Sequence, residues 1–182
     1  MKNSQESLEE IIKSTILSGP LQEIKLYQVN NTFFELPSEG YWIIDTGIEL
    51  RFPSGIISAV WNTEIECYVI ENKGVELIYG QDNVLQLENK NIAGLKKFVG
   101  LHVIDVNIKS IEFDFIADYR MQIEKEKRIV EMILDFQNKS KIQIAFVNYA
   151  LEVNNQPRDF SFDISTELLI STKKIIEIKN AL

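Results

Sequence analysis

Between Leu8 and Ile16 the apolar side chains recur three and four residues apart. Leu8, Ile11, Ile12 and Ile16, with Thr15 among them, fall on one face of a helix. Ser7 and Glu10 have the spacing of a capping box, in which each side chain accepts from a backbone N–H left unpaired in the first turn. Gly19-Pro20 then ends the run, since glycine takes the left-handed cap and proline cannot continue the ladder. The pattern predicts a helix over about residues 4–18.

Beyond Pro20 the period falls to two. Trp42, Ile44, Thr46, Ile48, Leu50 and Phe52 alternate with Tyr41, Ile43, Asp45, Gly47, Glu49 and Arg51. This predicts one long half-buried strand over 41–52, the first set facing a core and Asp45 and Glu49 facing water. Pro53-Ser54-Gly55 is turn chemistry leading to a partner strand at 56–61. Further strand-like runs cover 66–71, 75–79, 84–88, 101–109, 111–117, 128–136, 141–153 and 159–170. Polar breaks of hairpin length separate several of them, at 72–74, 81–83 and 137–140. Ile92, Leu95 and Phe98/Val99 have helical spacing before Gly100, so a short helix is expected over 91–99. Glu124-Lys125-Glu126-Lys127-Arg128 reads as a solvated loop or hairpin tip.

Many short alternating strands joined by short polar turns predict a mainly β (α+β) chain. The expected architecture is an antiparallel meander closed as a barrel or folded as a two-sheet sandwich, within a single domain over 1–182. Strands of a parallel α/β sheet are buried on both faces and read as continuous apolar runs, which these do not. An internal similarity also stands out. Ile56, Ala59, Asn62 and Glu66 align with Ile142, Ala145, Asn148 and Glu152, each set preceded by Leu-x-Phe at Leu50-Phe52 and Leu134-Phe136. The alignment predicts two related β units at about 36–109 and 110–179, with equivalent hairpins.

Charge narrows the partners. The chain of 182 residues has a formal net charge of −8, 45% apolar residues and 25% charged ones. An acidic surface repels nucleic-acid phosphates and anionic lipid, and the lysines and arginines are dispersed along the sequence, so neither nucleic acid nor membrane is expected as a partner. A basic protein is. Cys67 is the single cysteine, which leaves no intrachain disulfide and no zinc spacing. No apolar stretch reads as a secretion signal or a membrane span, and the expectation is a soluble protein of the reducing cytoplasm.

Candidate chemistry is sparse. His102, the only histidine, shares a strand face with Ile104, Val106 and Ile108 and reads as a core or core-edge residue. Cys67 lies in an apolar strand, where a free cysteine behaves as a small hydrophobe; a Cys67–His102 dyad is the one nucleophile–base pairing the composition allows. The isolated glycines form no phosphate-binding loop, so no nucleotide cofactor is implied. Glu112 and Asp114 alternate with Phe113 and Phe115, placing both carboxylates on one strand face with Asp118 nearby. Asp45/Glu49 and Asp163/Glu167 repeat that outward-acid arrangement. The sequence therefore favours a non-enzymatic binding domain with an acidic surface, of the kind that suits a toxin-neutralising immunity protein or an accessory domain. No catalytic, cofactor or metal residues are assigned to it. The rival reading is a small-molecule-binding or hydrolytic β-barrel, its site near His102 and the Glu112/Asp114 pair.

Overall fold

The computed structural model describes residues 3–29, 34–36, 39–79, 85–86, 93–116, 123–154 and 156–180. Helix α1 (Asn3–Ile16) opens the chain and buries Ile12 and Ile16 completely. It starts ahead of Ser7, so Ser7 lies inside the helix and does not cap it.

Twelve strands follow, in order β1 (Glu23–Gln28), β2 (Phe34–Leu36), β3 (Tyr41–Ile44), β4 (Gly47–Phe52), β5 (Gly55–Asn62) and β6 (Cys67–Glu71), then helix α2 (Val75–Tyr79), β7 (Leu85–Gln86) and helix α3 (Ala93–Lys96). The second half holds β8 (Val103–Ile116), β9 (Ile123–Phe136), β10 (Lys141–Leu151), β11 (Pro157–Phe162) and β12 (Glu167–Ser171). Strands take up more than half of the described residues and helices a much smaller part. Every strand pairing is antiparallel.

Among the described residues there are two sheets and no closed barrel. One runs β6-β5-β4-β1-β7, the other β2-β3-β12-β10-β9-β8, with β11 also on β10. Val147 pairs with Glu167 of β12 and with Phe162 of β11, so β11 takes the flank of β10 that β9 leaves after Glu131. The sheets pack as a sandwich through one continuous apolar cluster. Tyr68 of β6 stacks on Phe146 of β10 with ring centroids 5.1 Å apart.

The run 41–52 is two strands, not one. β3 lies in the large sheet beside β12 and β4 lies in the small sheet between β1 and β5. The chain crosses at Asp45–Thr46, where Asp45 Oδ1 accepts from the Val29 N–H at 3.1 Å and from the Thr46 hydroxyl at 3.0 Å. Such local side-chain bonding offers the backbone an alternative to the ladder. Trp42, Ile44, Ile48, Leu50 and Phe52 are buried as the alternation requires. Glu49 is buried too, at 5% exposure, because α2 covers that face.

Other departures have identifiable causes. Residues 75–79 are helix α2, since Val75, Ile78 and Tyr79 suit helical spacing as well as a short strand. The runs 101–109 and 111–117 join into β8, and β9 begins at Ile123, absorbing the charged stretch expected to be a loop. Lys125 and Lys127 stand opposite Asp114 and Glu112, and these opposed charges support pairing there. The run 159–170 breaks at Asp163, whose Oδ1 accepts from the Ser165 N–H and hydroxyl. The helix expected over 91–99 is the single turn α3 followed by a turn to Gly100, whose φ of 87° suits the stop it was expected to provide. Of the run 84–88, 85–86 forms β7, while the break 81–83 lies outside the described residues.

The matched hairpins are out of step. Leu50 faces Ile57, whereas Leu134 faces Ile142, the residue aligned with Ile56. The strand after β5 pairs on its far side, whereas the strand after β10 pairs on the flank shared with β9. The aligned residues therefore do not occupy equivalent register positions. A boundary at 109/110 also falls inside β8.

Candidate functional site

Strand β8 holds the sequence candidates apart. His102, just before it, is exposed; its backbone bridges Pro20 and its carbonyl accepts the Gln137 N–H at 3.0 Å. The expected apolar face fails because β8 bulges at Ile104: Val103 faces Phe136 and Asp105 faces Asp135, leaving Ile104 unpaired and 64% exposed. His102 is therefore not a core residue.

Cys67 is buried as expected, and burial pushes its thiol up, against the opposing pull of Arg128. A protonated, enclosed thiol is a poor nucleophile. Arg128 lies opposite Ile111, nine residues along β8 from His102. At about 3.3 Å per residue, that strand separates the Cys67 neighbourhood from His102 by roughly 30 Å. Glu112 and Asp114 lie further along still. No Cys67–His102 dyad forms, and a site joining His102 to Glu112/Asp114 has no geometry to rest on.

Glu112 and Asp114 do share an exposed face, with Lys127 and Lys125 directly across the ladder. The pair is half of a mixed-charge surface. Within the sheet order β8 is the outermost strand, and among the described residues its other flank is unpaired. Beyond Ser110 and Ile129 the β8–β9 ribbon pairs only with itself, since β10 meets β9 over 131–135.

Two carboxylate arrangements differ from the outward-acid expectation. Glu49 lies 3.6 Å from Arg51 Nη2 and 3.9 Å from Lys25 Nζ, and accepts the Val75 N–H at 3.3 Å. Glu23 bridges the same two cations at 3.3 and 3.6 Å. Burial first, and Glu49 second, hold the nearby Tyr27 hydroxyl well above its ordinary range. This cluster fastens α2 to the sheet.

The second arrangement lies at the β3–β4 crossing. Burial, and then the like charge of Asp45, push the Glu167 carboxyl up to about 7. Tyr68, whose hydroxyl donates to the Ile44 carbonyl at 3.4 Å, is raised by burial and then by Glu167. Burial and then Glu167 also raise Tyr149. Continuing the β3–β12 register brings Asp45 level with Glu167. The sequence shows no sign of this meeting, because the two residues lie on strands paired only through the large sheet.

Among the described residues, no group of three or more His, Cys, Asp or Glu is arranged to hold a metal ion. No helix among them is long and apolar enough to cross a membrane. Comparison with known protein families finds no family that matches this chain. No curated protein and no solved structure matches it either.

Proposed function

We propose that this chain is a non-enzymatic protein-binding domain of the cytoplasm, and that its partner presents a basic strand or face to the outer half of β8. The observation that carries the reading is the outermost place of β8 in its sheet, on a flank where no described strand pairs, with Glu112 and Asp114 exposed on one side of it. A strand added to such an edge gains main-chain hydrogen bonds, and its alternate side chains select the partner. Lysine or arginine on alternate positions of that strand would fall beside Glu112 and Asp114, with Lys127 and Lys125 on the opposite side. Each carboxylate would then sit between two cations in a cross-strand ladder. The net charge of −8 adds a field that draws basic proteins and repels acidic ones. Its single thiol is buried, in keeping with a reducing compartment.

Capture from an extract of the source cells tests the reading. Wild-type protein and the Glu112→Gln/Asp114→Asn double variant are immobilised side by side at physiological salt. A basic protein should be retained by the wild type and strongly depleted on the variant. Equal retention on both, or retention of acidic proteins alone, overturns the β8 assignment.

A further inference from the structure

The sequence disperses its lysines, but the fold gathers four of them at one end. Lys139, Lys141, Lys173 and Lys174, with Thr172 and Ile175, line a concavity of about 460 Å³ to whose wall no carboxylate side chain among the described residues contributes. We propose that this concavity binds the phosphate group of a small phosphorylated molecule.

The backbone that carries the walls is pinned by hydrogen bonds. Lys139 stands in the β9–β10 turn with a φ of 66°, held by its N–H to the Phe136 carbonyl at 2.8 Å. Lys141 is the first residue of β10, and continuing the β10–β12 register from Gln143–Ser171 brings Lys173 level with it. Segment 171–176 is pinned at several points. The Ser171 hydroxyl donates to the Lys174 carbonyl, and the Thr172 N–H donates to the Gly40 carbonyl. The Ile176 N–H donates to the side chain of buried Gln143, which donates in turn to the Ile176 carbonyl.

Gly40 sets the course of Lys173. Its φ is 76°, and a Cβ there would lie 2.3 Å from Lys173 Cγ and 2.7 Å from its Cβ and Cδ. The lysine stem lies across the glycine Cα, a position no other residue at 40 would leave open. Constraining the stem in advance lowers the rotamer freedom lost on binding. Lys141 has a carboxylate neighbour in Asp135 at 2.6 Å, and Lys174 has one in Glu39 at 3.2 Å. The chain's overall negative charge does not cancel the local field, because beyond a Debye length of about 8–10 Å distant charges are screened. The volume falls in the range of small-molecule sites, roughly 300–1,000 Å³, and exceeds what the phosphate alone occupies.

The test is titration of ¹⁵N-labelled full-length protein with inorganic phosphate and with glycerol 3-phosphate at constant ionic strength, against sodium chloride as the control. Both phosphates should give saturable shifts at the amides of Ser140, Lys141, Thr172 and Lys173, while chloride gives none. Lys139→Gln with Lys173→Gln removes two surface charges without removing a core side chain, and should weaken binding about tenfold or more. Gly40→Ala should weaken it by displacing the Lys173 stem with all four lysines still present. The proposal fails if chloride reproduces the shifts, if they rise linearly without saturating, or if the double lysine variant binds as tightly as the wild type.

Discussion

At Glu167 two effects act in one direction. Burial and the neighbouring Asp45 both disfavour its charged form, and its folded-state value of about 7 stands above the ordinary 4.5. The native state therefore holds this proton more tightly than the unfolded chain does. The resulting stability is fully present below about 4.5 and is lost as pH rises through about 7. Glu167→Gln should raise the melting temperature at pH 8 and leave it nearly unchanged at pH 4.5; an equal effect at both values would show that titration is not involved. Ile48 gives a plainer case, because it is fully buried. Replacing it with alanine should lower stability by on the order of 2–5 kcal/mol in chemical denaturation. Ile48 could be placed from its alternating neighbours. Glu49, one residue on, could not: the same alternation assigns it to solvent, and only the docking of α2 onto that face buries it. The Asp45–Glu167 contact was equally hidden, since it joins positions far apart in the chain through strand pairing alone.

At the scale of elements, what the sequence reveals is the local period. The strand content, the short turns and the core faces of β4 and β5 follow from it. What it leaves unmarked is where a strand changes partners. The crossing at Asp45–Thr46 keeps the alternation intact while moving the chain from one sheet to the other, so 41–52 reads as one strand. The bulge at Ile104 has the opposite effect: it breaks the alternation without breaking the strand, and His102 and Ile104 turn outward for that reason. Strand β1 is only weakly marked in the sequence: Ile24 and Leu26 alternate with Glu23 and Lys25, but Tyr27 and Gln28 are both buried and end the pattern early. Helix α2 is short and is held at its start by the Glu49 carboxylate. Glu49→Ala should leave the Val75 N–H and two cations without that acceptor and cost about 1–3 kcal/mol. Amide exchange should then quicken through 75–79 more than in β4 or β5. Uniform acceleration across the sheet would mean that Glu49 supports the strands and not the helix.

For the molecule as a whole, the distribution of charge decides how a partner could approach. Four cations collect at the β9–β10 end, while Glu112 and Asp114 stand on the β8–β9 ribbon at the other end of those long strands. In the proposed reading, the lysines at the far end would turn a basic partner's cationic side away from themselves and toward Glu112 and Asp114. Long-range orientation governs how often collisions succeed, whereas the lifetime of a complex depends on desolvated contacts at its centre. Raising salt from low to physiological values shortens the screening length and should slow association steeply while changing dissociation little. The variant used to test this matters. Reversing Glu112 and Asp114 to lysine would set each new lysine against Lys127 or Lys125, and such like-charge cross-strand pairs are themselves destabilising. Neutral Glu112→Gln and Asp114→Asn remove the attraction and the two cross-strand ion pairs without creating like-charge pairs. With a captured basic partner, stopped-flow measurement should find association slowed several-fold in the neutral variant, a flatter salt dependence, and a melting temperature lowered only slightly. An association rate that ignores both salt and the substitutions would overturn the electrostatic account, even if the edge of β8 still pairs with its partner.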